Sequence, residues 1–289
     1  MRISVIIPCL NAADTIGVQL EALARQTWAG WWELIAVDNG SHDGTAERVA
    51  REARRLGLSR CRVVTAATRR GAAHARNAGS RWAQGNVLAF VDADDEMGPG
   101  WLEAVASALQ TQEIVASRLE YTRLNDRRSM AMRGKPQEQG LQHFSRPRFL
   151  PHAAGAGLAV RRELHERLGG FDEDLPLLED TDYCWRAQLA GATLGYAPDA
   201  VMHYRLRADV RGACRQARQW AQYNVELYRR YRDRGMGTMP WRKGLREWWR
   251  LVRRSPEVLD PELRGRWLWN VNWAWGRLWG SLRRRIWAL

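Results

Sequence analysis

Within the first hundred residues, four short apolar runs alternate with longer stretches of helical spacing. The runs are ISVII (3–7), ELIAV (33–37), RVVT (62–65) and VLAFV (87–91). The stretches between them, roughly 13–26, 44–56 and 72–83, place apolar residues on one helical face, as in Ile16, Leu20, Leu23 and Ala24. Strand–helix–strand alternation at this spacing implies an α/β fold, a mostly parallel sheet with helices on both faces. In such sheets ligands bind beyond the carboxyl ends of the strands. The residues at those ends are PCLNA after the first strand, DNGSHDGT after the second and DADD after the fourth. After the third strand GAAHARNAG (71–79) opens a helix, and Gly71 with its small neighbours permits close backbone approach by a ligand.

The DADD segment poses the sharpest question. An apolar run, Val87 to Val91, empties into three carboxylates at Asp92, Asp94 and Asp95. Clustered aspartates repel one another unless a positive charge lies between them. On these residues alone two readings stay open, a solvated turn or a divalent cation held by oxygen ligands.

Beyond Pro99 the pattern is mixed. A helix near 99–110 precedes a strand at 113–122, and Asn125 to Arg148 is polar and without clear periodicity. GLAVRRELHERLGGFDEDL reads as strand, short helix and Gly-terminated turn, and LEDTDYCWRAQLAG (178–191) as a helix opened by acids. A short strand is expected at 193–197, then a basic amphipathic helix from Asp209 to Arg234. The four cysteines are far apart and match no metal-ligand spacing, so they read as reduced thiols. No secretory signal is expected, and no stretch reaches the roughly 18 apolar residues needed to span a bilayer.

Six segments in order, SVIIPCLNAADTI, LIAVDNGSHDGT, GAAHARNAGS, GNVLAFVDADD, RRELHERLGGFDEDL and LEDTDYCWRAQLAG, resemble a family-2 glycosyltransferase of GT-A (Rossmann-like) fold. That class is inverting and uses nucleotide-sugars. The resemblance covers about residues 3–205, and it tilts the reading of DADD toward the metal. It implies that Asp92-Ala93-Asp94 is the D-x-D motif, with Asp94 a ligand of Mn²⁺ or Mg²⁺ and Asp92 meeting the ribose, or the metal through water. It implies that Asp38 contacts the nucleobase in a pocket lined by Pro8 and Asn11, and that Gly71, Arg76 and Asn77 serve the donor. For Arg76 a helix-surface cation is the alternative. The usual DDGSTDGT reads DNGSHDGT here, so Asn39 and His42 replace an acid and a small hydroxyl and leave the base preference open. Glu179-Asp180 matches the E-D motif, which makes Asp180 the expected catalytic base. Asp182 is its rival, and Glu179 and Asp182 are otherwise acceptor-side acids. His203 would complete the metal or diphosphate site, with a purely structural histidine as the alternative.

The C-terminal segment differs in composition. Residues 241–289 hold 12 Lys/Arg against 4 Asp/Glu and 9 of the 16 tryptophans, within a chain of net charge +13. Leu268, Val271, Trp275, Leu278, Leu282 and Ile286 share one helical face, the profile of a helix in a bilayer interface. The alternative is a tail packed on its own protein or on a sister subunit. The expected organisation is a GT-A domain at 1–205, a basic helix closing the core at 206–240, and a Trp/Arg-rich anchor at 241–289.

The function expected is transfer of a single sugar from a nucleoside diphosphate-sugar to a glycan or lipid-linked acceptor. It would take place in the cytoplasm, at the inner face of the cytoplasmic membrane. A nucleotidyltransferase of similar fold is the alternative enzyme, although PCLNAADT lacks the Gly-rich basic phosphate loop. A non-catalytic basic protein binding membrane or nucleic acid is the alternative from another class. Acids at the strand ends would repel nucleic acid, which is not an expected partner. The sugar, the base and the oligomeric state are not legible.

Overall fold

All four apolar runs become strands: β1 (Arg2–Cys9), β2 (Trp31–Asp38), β3 (Cys61–Thr65) and β4 (Val87–Phe90). Between them lie the helices α1 (Ile16–Ala24), α2 (Thr45–Arg55) and α3 (Ala72–Trp82). The computed structural model describes residues 1–145, 147–239 and 241–288. Onward from β4 run β5 (Glu96–Met97), α4 (Trp101–Ala108), β6 (Ile114–Glu120), α5 (Arg127–Arg133), β7 (Gln142–Ser145), β8 (Arg148–His152) and β9 (Leu158–Arg161). Then come α6 (Arg162–Arg167), α7 (Glu179–Leu189), β10 (Leu194–His203), α8 (Val210–Tyr231), α9 (Trp241–Arg253) and α10 (Arg264–Arg284).

Two compact units divide the chain. One comprises Met1–Glu120, Pro136–Gln142 and Pro151–Arg205; the other comprises Tyr121–Lys135, His143–Leu150 and Leu206–Leu289. The first is built on an eight-stranded sheet of order β3-β2-β1-β4-β9-β6-β10-β5. β1 pairs in parallel with β2 and β4, β2 with β3, and β6 with β10. β9 runs antiparallel to β4 and β6, and β5 antiparallel to β10. The sheet is therefore mostly parallel, as the alternation implied.

The central strands β1 and β4 are mostly apolar because helices cover both faces. Ile3, Val5, Ile6 and Ile7 of β1 are completely buried, as are Leu88, Ala89, Phe90 and Val91. Each such large side chain contributes about 1.5–3 kcal/mol by leaving water. Helix α3 comes so close to the sheet that a Cβ on Gly79 would sit 2.5 Å from Ile6 Cγ2. That approach sets the start of α3 beside the ends of β1 and β2.

Two expectations change. The strand expected at 193–197 continues to His203, because β10 absorbs Pro198 at a register shift between Ala197 and Val201. Pro198 cannot donate to the ladder, and an irregularity is where a sheet tolerates it. The polar stretch 125–148 is not structureless: it contains α5, capped by Asp126 accepting from Ser129 N, and the start of the β7–β8 pair.

In the second unit α10 lies along α8. Gly276 and Gly280 permit this: a Cβ at 276 would collide with the Arg218 carbonyl, and one at 280 would come 3.1 Å from Gln222 Cα. Trp269 packs with Met132, Ala213 and Ala217. Among the described residues no helix is long and apolar enough to cross a membrane.

Candidate functional site

The carboxyl ends of β1, β2 and β4 carry the first cluster. Asp38 closes β2 and accepts from Ser41 N at 3.1 Å. Asn11, in the left-handed region at φ 49°, accepts from His42 N at 2.9 Å and donates its own N–H to Ser41 Oγ at 3.0 Å. The loop after β1, a strand that carries half-buried Pro8 next to its end, is thus tied to the loop after β2. Asn39 stands where the acid of the usual motif would be, and it is buried. Its amide donates to the carbonyls of Ala66 (2.5 Å) and Arg69 (2.7 Å), and its oxygen accepts from Gly71 N at 2.8 Å. Gly71, at φ 137°, has open space where a Cβ would be, so a ligand can approach the backbone there.

The D-x-D turn leaves β4 under tight restraint. Gln19 of α1 is completely buried; it donates to the Asp92 carbonyl at 3.2 Å and accepts from Met97 N at 2.8 Å. Arg205 Nε donates to the Asp94 carbonyl, and Arg205 N donates to Asp95 Oδ1, both at 2.7 Å. Asp95 is buried with its other oxygen lacking a hydrogen-bond partner among the described residues. Burial, then the neighbouring Asp94 and Asp92, raise its carboxyl well above the usual range. Asp92 and Asp94 remain partly open to solvent.

Arg76 links this turn to the acids of α7. The side chain is buried, with Nη2 donating to Asp92 Oδ1 at 2.9 Å and Nη1 donating to Glu179 Oε1 at 2.6 Å. Its guanidinium carbon lies 5.4 Å from the centre of the Phe171 ring. Arg76 is therefore not the surface cation weighed above. Gly155 makes room for it, since a Cβ there would stand 2.6 Å from Arg76 Nη2. The residue before the acid pair, Leu178, is left-handed at φ 62°, a conformation that costs an L-residue about 1–3 kcal/mol.

The acids of α7 differ in environment. Asp180 is half-buried, and its oxygens accept from Gly155 N (2.8 Å) and Thr181 N (2.7 Å). Desolvation raises its carboxyl above the ordinary range and Arg76 opposes the rise. Glu179 is raised by burial in the same way, again against Arg76. Asp182 is buried and paired with Arg186 Nε at 2.7 Å; that arginine also holds the carbonyls of Leu168 and Gly170. Asn77 bonds Phe171 and Glu173, fixing the same turn from the other side. His203 Nδ1 lies 2.7 Å from Glu120 Oε2.

Among the described residues no three His, Cys, Asp or Glu side chains group as a ready metal cluster. Asp92, Asp94 and His203 therefore do not converge as a complete ligand set. Two partly open carboxylates on one turn do suit a hard cation that takes its remaining ligands from phosphate and water.

Sequence reasoning missed Gln19, Gly155 and Arg205. Gln19 carried a signal: it falls on the apolar face of Ile16, Leu20 and Leu23, where a buried amide needs a defined partner. Arg205 lies two residues beyond His203, just past the end of β10. Gly155 carried none.

The sequence profile described as glycosyl transferase family 2 matches residues 4–169, more than half the chain. The chain belongs to glycosyltransferase family 2. A second profile, glycosyl transferase family group 2, matches residues 87–289. The family-2 chain is 30% identical over 202 residues to glycosyltransferase AglE of Haloferax volcanii, covering 69% of this chain and 65% of that protein. It is 37% identical over 93 residues to the UDP-Glc:α-D-GlcNAc-diphosphoundecaprenol β-1,3-glucosyltransferase WfgD of Escherichia coli, covering 32% of this chain and 35% of that one. The matches thus span about a third to two thirds of these relatives. Among solved structures, the mannosyltransferase PcManGT of Pyrobaculum calidifontis, in complex with GDP-Man and Mn²⁺, superposes with a TM-score of 0.61 at 23% identity. That match covers 98% of this chain and 75% of that one. The shared fold is GT-A.

Proposed function

We propose that the protein transfers a single sugar from a nucleoside diphosphate-sugar to an acceptor hydroxyl, with inversion at the anomeric carbon. The observation that carries this reading is the Arg76 bridge. One buried guanidinium holds Asp92 of the donor motif and Glu179 of the acid pair, so the leaving-group end and the candidate base face one reaction space.

Asp38, Pro8 and Asn11 form the nucleobase pocket, and Gly71 admits the donor to the backbone. Asp94, with Asp92, would hold Mn²⁺ or Mg²⁺ against the donor diphosphate; such an ion offsets charge on the departing nucleoside diphosphate. Glu120, 2.7 Å from Nδ1 of His203, would fix that ring's orientation and leave the other nitrogen for a ligand. Asp180 removes the acceptor proton, a step worth about 10²–10⁴ in rate. Its partial exposure leaves it reachable, whereas Asp182 is neutralised by Arg186.

The acceptor is a lipid-linked glycan met at the inner face of the cytoplasmic membrane. The basic, Trp-rich segment 241–289 supports this placement, and WfgD's name specifies a diphosphoundecaprenol acceptor. The test is release of nucleoside diphosphate from a panel of nucleotide-sugars with Mn²⁺ or Mg²⁺ or with chelator. Expected are metal-dependent release, loss of activity in Asp94→Ala and Asp180→Asn, and a product of inverted anomeric configuration. Full activity in Asp94→Ala, or release indifferent to chelator, overturns the reading.

A further inference from the structure

We infer that α9, rather than the tryptophan face of α10, is the element that lies in an anionic bilayer surface. This rests on the membrane placement proposed above. Leu245, Trp249 and Val252 are spaced by four and three residues, so they share one side of α9. They are 53%, 61% and 68% exposed. Arg242, Arg246, Arg250 and Arg253 repeat at four, four and three, form a stripe beside the apolar one, and are all exposed. The two stripes touch where Arg253 lies 4.8 Å from the Trp249 ring. On the opposite side Gly244 is buried and Leu251 half-buried, and the Leu251 carbonyl accepts from Trp267 Nε1 of α10 at 3.0 Å. The inner side of α9 is therefore occupied by its own unit, and its outer side presents apolar and cationic edges in parallel. A helix in a bilayer interface needs that arrangement: an apolar edge among the acyl chains and arginines among the phosphates.

The outer face of α10 is built differently. Trp275, Trp279 and Leu282 are exposed there, with Leu268, Val271 and Leu278 half-buried, but arginines stand on that side only at its ends, Arg264 and Arg283. It can enter an apolar layer but has little to select an anionic one. A second copy of the chain paired antiparallel is a poor occupant of the α9 face, because that two-fold contact would set each arginine stripe beside its twin.

The experiment is co-sedimentation of the full chain with vesicles of phosphatidylcholine alone or mixed with phosphatidylglycerol. Three triple variants are compared: Arg246→Gln with Arg250→Gln and Arg253→Gln; Leu245→Ser with Trp249→Ser and Val252→Ser; Trp275→Ser with Trp279→Ser and Leu282→Ser. Expected is parental binding to the anionic vesicles alone, weakened about a hundredfold by removing three arginines. The α9 serine variant should also lose binding, while the α10 variant partitions nearly as the parent. Nucleoside diphosphate release from soluble donor should be unchanged in all three, which shows that they are folded. Loss of binding in the α10 variant with parental partition in both α9 variants overturns the inference alone. A parent that binds no vesicle overturns the membrane placement with it. A self-association abolished by the α9 variants assigns the face to a second copy and also overturns the inference. None of these outcomes touches the transferase chemistry.

Discussion

A neutral side chain at position 39 is what the loops around Asp38 and Gly71 require. Asn39 offers its amide hydrogens to two carbonyls and its oxygen to Gly71 N. A carboxylate there would face the Ala66 and Arg69 carbonyls with no hydrogen to give. A buried group left mismatched costs about 1–3 kcal/mol, more when charged. Asn39→Asp is therefore expected to lower the thermal midpoint and, because Gly71 loses its anchor, to raise the donor KM; an unchanged midpoint contradicts this account. Arg76 makes the converse case. Arg76→Ala leaves Glu179 buried without its cation, and breaking a buried pair typically costs about 3–5 kcal/mol. Arg76→Lys keeps the charge but cannot reach two carboxylates with a planar fork. It is expected to restore much of the lost stability while kcat stays depressed. Denaturant midpoints and kinetics on the same preparations separate the two effects. If Lys restores both, the fork geometry is irrelevant.

The helices of the second unit depend on small residues more than on tryptophan. Gly276→Leu would drive a side chain into the Arg218 carbonyl of α8. Overpacking of this kind typically costs about 1–3 kcal/mol. The expected result is faster proteolysis within 241–288 without loss of nucleotide binding. Glu226 fastens the same pair of helices, paired with Arg229, Arg230 and Arg284. Hydrogen bonds from those arginines hold its carboxyl down at about 2. What was legible in the sequence follows from periodicity. Buried parallel strands read as apolar runs, so β1, β2 and β4 were found; β3 was found as a strand too, but it lies at the sheet edge with only Val64 buried, not buried as RVVT suggested. The outward face of α10, with Trp275 and Leu282, was found from its heptad-like spacing. Periodicity names a face but not its partner, so the pairing of α10 with α8 was invisible. The same limit hid the Arg76 bridge: its three residues come from different elements, and only the folded sheet edge brings them together. The different surroundings of Asp180 and Asp182 could not be read from spacing either, because only the fold shows that Arg186 pairs with Asp182. β10 ran on past Pro198 because the sheet accommodated a bulge that the proline alone did not announce.

At the scale of the whole molecule, buried ionisable groups set opposite demands on pH. His165 is buried, its Nδ1 lies 2.9 Å from the Tyr183 hydroxyl, and the rings of Phe90 and Phe171 stand at 5.8 and 6.0 Å. Burial, with Arg162 and Arg186 nearby, pushes its imidazole down to about 4 from 6.5. The unfolded chain therefore takes up this proton first. The contribution of His165 is fully present above pH 6.5 and is lost as pH falls from 6.5 toward 4. The size of that loss is about 3 kcal/mol. Glu179 and Asp180 have the opposite sign. Their carboxyls are raised in the folded state, so the native protein binds those protons first and gains stability as pH falls. A pH–stability curve of the parent alone mixes these contributions. Subtracting the curve of a His165→Gln variant isolates the histidine, because the acids contribute equally to both. The parent's advantage over the variant is expected to shrink by about 3 kcal/mol between pH 7 and pH 4 in denaturant titrations. A difference that stays flat over that range means the imidazole takes up its proton as readily in the folded protein as in the unfolded chain, and then the aromatic cage around it must be open to water.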